Sequence, residues 1–126
     1  MSKGKILIVE DDIVLVRMYT KKFVHDGYEV VAAYSGGEGL VVAPQEQPDV
    51  ILLDIMMPAV DGFSVIKTLK KDPATRNIPI IILTNLGTSE VFVEEAKRLG
   101  AKDYLVKYKM GSKDIAGVVE KAIGKK

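Results

Sequence analysis

The sequence predicts an α/β fold of alternating strands and helices, (βα)5, forming a single domain over residues 1–126. Two observations carry the prediction. Five short aliphatic runs recur along the chain, and helix-length amphipathic segments lie between them. No repeat, low-complexity tract or linker interrupts the alternation. Such an order implies a doubly wound parallel sheet with helices on both faces.

The strand candidates are Ile6–Val9, Glu29–Ala33, Val50–Leu53, Ile78–Leu83 and Tyr104–Val106. The first, third and fourth are continuously apolar, as expected of central strands covered on both faces. Of the helices, the last is the clearest. Ile115, Val118, Val119, Ala122 and Ile123 recur at helical spacing, and Ser112 stands where an N-cap is needed. Residues 89–99 place Phe92, Ala96 and Leu99 on one face and stop at Gly100. Ser35 and Glu38 have capping-box spacing for the second helix. Asp26-Gly27, Asp72-Pro73 and Asn77 mark loops.

Composition excludes several classes of function. A net charge of +1 gives no overall field for nucleic acid or a membrane surface. With no cysteine there are no disulfides, thiolate metal sites or cysteine nucleophile. The apolar runs are far too short to span a bilayer, and Met1–Lys5 leads straight into a strand without a signal-peptide core. The expectation is a cytoplasmic protein with no membrane insertion and no direct contact with nucleic acid.

In sheets of this kind function collects at the carboxyl ends of the strands. Glu10, Asp11 and Asp12 follow strand one, Asp54 follows strand three, Thr84 strand four and Lys107 strand five. Singly, each has a bland reading: a helix cap, a turn former, a strand-end hydroxyl, a solvated charge. For Asp12 the cap is preferred. Together they would converge on one edge, where crowded carboxylates must stay solvated, take up protons or bind a cation. Oxygen-only donors favour a hard ion, Mg²⁺ or in its place Mn²⁺. The matching chemistry is phosphoryl transfer onto a carboxylate. Asp54 is the nucleophile, and Asp11 and Asp54 hold the cation with Glu10 acting through water. Lys107 and Thr84 meet the phosphoryl oxygens.

The stretches ILIVEDD (6–12), VILLDIMMPAVDG (50–62), IPIIILTN (78–85) and GAKDYLVK (100–107) resemble the receiver domain of two-component response regulators, across essentially the whole chain. The resemblance implies a flavodoxin-like sheet of order 2-1-3-4-5, an arrangement of which receivers are themselves a familiar example. It also implies Asp54 as phosphoacceptor from a histidine kinase or phosphotransfer protein, and Glu10 and Asp11 as the Mg²⁺-holding acids. The Met56 backbone carbonyl becomes a further ligand. Thr84 and Lys107 match the switch hydroxyl and the phosphate-pairing lysine, and Tyr104 the aromatic that moves with Thr84. Output would pass through the face of the fourth helix, fifth strand and fifth helix to a downstream protein, or into a phosphorylation-dependent homodimer. The chain would be no enzyme beyond its own phosphoryl transfer and slow autodephosphorylation.

Three features depart from the family pattern. Tyr108 stands where a proline, often cis, usually follows the lysine. A cis bond there would cost about 2.5–4 kcal/mol, so a trans bond or rebuilt loop is expected, with Lys107 held less rigidly. Asn85 replaces a very small residue beside the phosphate. Met56 and Leu86 are apolar where access to the acyl phosphate is controlled, and would slow its hydrolysis. His25, near the end of the first helix, reads as a solvated helix position.

Other functions rank lower. A haloacid-dehalogenase-type phosphohydrolase would need a second Asp two residues after Asp54, where Met56 stands. A mononucleotide binder would need an anion-friendly loop after strand one, where Glu10-Asp11-Asp12 would repel phosphate. The stronger alternative is a receiver cut from a larger DNA-binding or enzymatic regulator. The short tail after the last helix favours a stand-alone regulator acting by protein contacts.

Overall fold

The structure, a computed structural model, describes residues 2–56, 61–85, 90–107 and 112–124, the side chains of 112–116 excepted. Its elements are β1 (Lys5–Val9), α1 (Ile13–His25), β2 (Glu29–Ala33), α2 (Gly36–Glu46), β3 (Val50–Asp54), α3 (Gly62–Lys71), β4 (Ile80–Thr84), α4 (Glu90–Leu99), β5 (Asp103–Val106) and α5 (Ser112–Ile123). The five strands form one parallel sheet in the order β2-β1-β3-β4-β5, as the resemblance implied.

Strand side chains alternate between the two faces, and here each face has its own core. Leu7, Val9, Ile51, Leu53, Ile80 and Ile82 pack under α2, α3 and α4. Ile6, Ile8, Val50, Leu52, Ile81 and Leu83 pack under α1 and α5. Both rows of each central strand are therefore buried, which explains the unbroken apolar runs. A fully buried aliphatic side chain stabilises by about 1.5–3 kcal/mol relative to exposure, so the three central strands anchor the sheet. The edge strands β2 and β5 are only partly covered.

Local chemistry sets the helix ends. The Asp12 carboxylate accepts the N–H groups of Val14 and Leu15 at 3.0 and 3.2 Å and caps α1. Ser35 Oγ accepts from the Glu38 N–H at 3.1 Å. Glu38 reaches back to the Tyr34 N–H at 2.7 Å, one residue earlier than the reciprocal capping-box partner. Gly100, at φ 125°, closes α4: its N–H meets the Lys97 carbonyl and the Ala101 N–H meets that of Ala96.

Some elements differ from expectation. β4 begins at Ile80 rather than Ile78, because the Ile78 N–H closes a turn on the Thr75 carbonyl and Pro79 has no N–H to give. The buried face of α4 is rotated. Phe92 is 40% exposed and packs edge-on against Phe63, while Val93 joins Ala96 and Leu99 against the core. Ser112 is the first residue of α5 rather than a residue before it. In that helix Val119 and Ala122 are buried, with Val118 and Ile123 partly so; the Ile115 side chain is outside the described residues.

Asp61 caps α3 by accepting the Phe63 N–H at 3.0 Å, and Gly62 follows. A Cβ on Gly62 would stand 2.4 Å from the Ile55 Cα, directly after Asp54, so only glycine lets α3 start this close to the strand end. Gly62→Ala is expected to lower stability by about 1–3 kcal/mol through overpacking, measured by urea denaturation.

Candidate functional site

Continuing the side-chain alternation past the strand ends places Glu10 in the row of Ile6 and Ile8. Asp54 falls in the row of Val50 and Leu52, and Lys107 in that of Leu105. All three rows lie on the α1–α5 side of the sheet. Thr84 follows Ile80 and Ile82 on the other side, and Tyr104 is the register partner of Ile82. Strand parity thus separates an ionic cluster from a Thr–Tyr pair.

The ionic cluster is nearly dry. Glu10 is fully buried and Asp54 is 2% exposed. Lys107 Nζ lies 2.9 Å from Glu10 Oε1 and 2.9 Å from Asp54 Oδ2. The remaining oxygens are held by backbone: the Asp12 N–H donates to Glu10 Oε2 at 3.0 Å, and the Met56 N–H to Asp54 Oδ1 at 2.9 Å. The Lys107 N–H donates to the Thr84 carbonyl at 2.7 Å. Burial pushes the Glu10 carboxyl up to about 7; the Asp54 charge adds to this, while Lys107 and the Asp12 N–H oppose it. For Lys107 burial works against the charged form, but its bonds to Glu10 and Asp54 outweigh that and raise its pKa.

Asp11 is exposed at the mouth of this cluster. One carboxylate oxygen from each of Glu10, Asp11 and Asp54 lies within 4.8 Å of the others, a set that can hold a metal ion. The donors are all oxygen, as a hard divalent cation requires.

On the other side of the sheet, the buried Thr84 hydroxyl donates to the Leu105 carbonyl at 3.2 Å rather than reaching toward Asp54. Tyr104 is 41% exposed, with Lys97 Nζ of α4 5.6 Å from its ring centroid. Asn85 is exposed directly after Thr84, and Met56 is half-exposed directly after Ile55. Leu86 and Tyr108, with the peptide bond to Lys107, lie outside the described residues. Lys107 itself is anchored from three directions. Sequence reasoning missed two participants, the Met56 amide and Lys97; neither carries a sequence signal, because each acts through spatial placement alone.

The family model for the response regulator receiver domain matches residues 6–119. The chain belongs to this family. Protein PilH of Pseudomonas aeruginosa is 42% identical to the receiver over 106 residues, covering 82% of this chain and 85% of PilH. Response regulator PleD of Caulobacter vibrioides is 41% identical over 104 residues, covering 82% of this chain, which spans only 23% of PleD. Among solved structures, the chemotaxis protein CheY4 of Vibrio cholerae superposes with a TM-score of 0.86 at 29% identity, covering 94% of this chain and 98% of that one. The receiver domain of sensor histidine kinase PA1611 from P. aeruginosa, with a magnesium ion coordinated in its active site cleft, gives 0.85 at 26% identity, covering 97% and 98%. The fold is the flavodoxin-like arrangement of CheY-type receivers.

The pH dependence of the metal-free receiver follows from Glu10. Its folded-state pKa of about 7 exceeds the ordinary 4.5, so the folded chain binds a proton more tightly than the unfolded one. The resulting stability is complete below about 4.5 and is lost as pH rises through about 7. In chelator, stability is expected to fall across that window, and Glu10→Gln to flatten the slope, measured by denaturation at successive pH values.

Proposed function

We propose that the receiver accepts a phosphoryl group on Asp54 from a histidine kinase or phosphotransfer protein, with Mg²⁺, and reads it out through Thr84 and Tyr104. One observation carries this reading: three carboxylates within metal-binding distance of one another share a site with an ammonium 2.9 Å from Asp54. The magnesium in the PA1611 receiver supports the choice of ion.

Glu10, Asp11 and Asp54, with the Met56 carbonyl, would hold the cation. When bound, it supplies neutralising charge to both the attacking carboxylate and the incoming phosphoryl group. An Asp54 oxygen forms its bond to phosphorus as the phosphorus–nitrogen bond of the donor's phosphohistidine breaks, and the imidazole nitrogen leaves with the electron pair. The Met56 N–H orients the nucleophile through Oδ1. Lys107, already on Oδ2, follows the charge onto the phosphoryl group. Ile13 and Val14, exposed in the first turn of α1 next to the acids, offer apolar contact to the donor protein.

Readout needs Thr84 to exchange the Leu105 carbonyl for a phosphoryl oxygen. Tyr104 then leaves its exposed place beside Lys97, which reshapes the α4–β5–α5 face for a protein partner or a second copy. No described helix is long and apolar enough to cross a membrane. The 85% coverage of PilH supports a stand-alone regulator. The alternative is the receiver of a longer protein, as in PleD or the DNA-binding regulator RpaA of Synechocystis, of which the chain spans 42%.

Acetyl phosphate with Mg²⁺ is expected to add one phosphoryl mass to the wild type and nothing to Asp54→Ala or to the wild type in chelator, measured by intact-mass spectrometry. Equal labelling of Asp54→Ala would overturn the assignment. Met56 is 51% exposed and apolar beside the acceptor. Met56→Asn, able to hydrogen-bond the attacking water, is expected to shorten the phosphorylated lifetime several-fold, measured by loss of the adduct with time.

A further inference from the structure

The edge of the sheet farthest from β5 carries a feature that the phosphoryl chemistry does not use. Between α1 and β2 lies a groove of about 610 Å³, with Val24, Val30, Ala32 and Tyr34 in its apolar lining. Val24 and Tyr34 are 55% and 46% exposed. Arg17, Lys21 and His25, four residues apart on one stripe of α1, form its other wall. All three are exposed, and none makes an ion pair among the described residues.

Among the described residues β2 is a terminal strand, paired with β1 alone. The Glu29 N–H bonds to Gly4 and the Ala33 carbonyl accepts from Glu10, so residues 29, 31 and 33 turn their backbone groups toward β1. Val30 and Ala32 therefore present N–H and C=O groups to the open edge, with their side chains on the α1 side. The Tyr34 N–H is already taken by Glu38.

We propose that this groove docks an extended, acidic segment of a partner protein, which adds a strand to β2. Val30 and Ala32 pair with its backbone, its apolar residues fill the floor, and its carboxylates meet Arg17, Lys21 and His25. A second copy of the chain is a poorer occupant, because antiparallel β2–β2 pairing would bring two cationic stripes together.

The probe is an acetylated, amidated peptide in which glutamate and valine alternate along one face and serine fills the other. Titrated into the full ¹⁵N-labelled chain, it should shift the amides of Val30, Ala32 and Arg17 and leave Asp54 unmoved. The same peptide with lysine for glutamate should not bind. R17E/K21E should weaken binding about tenfold or more, as expected from reversing two exposed charges. Ala32→Pro removes an outward N–H without costing a β1 bond, and should abolish binding while thermal melting and acetyl phosphate labelling persist. If Ala32→Pro does not fold, N-methylation of alternate peptide residues tests the same backbone pairing. Equal binding of the lysine peptide, shifts confined to other faces, or a β2-dependent homodimer in sedimentation would overturn the proposal.

Discussion

Everything at the acidic edge depends on one ammonium between two buried carboxylates. Glu10 and Asp54 sit at the ends of neighbouring central strands, where the apolar cores on both faces leave almost no water to solvate them. Two such charges side by side repel, and each carries a desolvation cost. Lys107 offsets both at once, 2.9 Å from each. Removing one member of a buried ionic group typically costs about 3–5 kcal/mol, because the charges left behind lose their compensation rather than because the group outperforms apolar packing.

That balance also explains why the site is suited to change. A cluster whose negative charge is only partly offset by one four-carbon side chain can take up a different distribution of charge without disturbing the sheet. The backbone amides of Asp12 and Met56 fix one oxygen of each carboxylate, and Lys107 Nζ holds the other oxygen of both. On the other side of the sheet, Thr84 is tied to the rim through the Lys107 N–H on its own carbonyl. Its hydroxyl and the Tyr104 ring lie on the α4 side. Strand alternation, which hides the cores, is thus also what divides charge chemistry from readout.

The two edges of the sheet have opposite characters. β5 is flanked by α4 and α5 and carries the Tyr104–Lys97 contact. β2 ends the sheet with two outward backbone pairs, beside a cationic stripe on α1. An open edge is a hazard for association, and the charged Glu29 on one face and the cations on the other restrict what can pair there.

Much of the fold was legible from residue pattern, because double burial of the central strands forces unbroken aliphatic runs and the caps Asp12 and Ser35 are local chemistry. The acidic and basic residues at the strand ends were legible for the same reason, since strand order brings carboxyl ends together. The misjudged places were those where tertiary packing outweighs local pattern. Phe92 turns out to meet Phe63 while Val93 takes the core, and Ile78 spends its N–H on a turn. By itself, then, the sequence determined the alternation of elements, the residue types at the site and the family they belong to. Only the tertiary structure decided that Lys107 bridges Glu10 and Asp54, that Thr84 bonds Leu105 and that Tyr104 faces outward. Those are choices of side-chain rotamer and inter-strand register, which depend on neighbours far away in the chain.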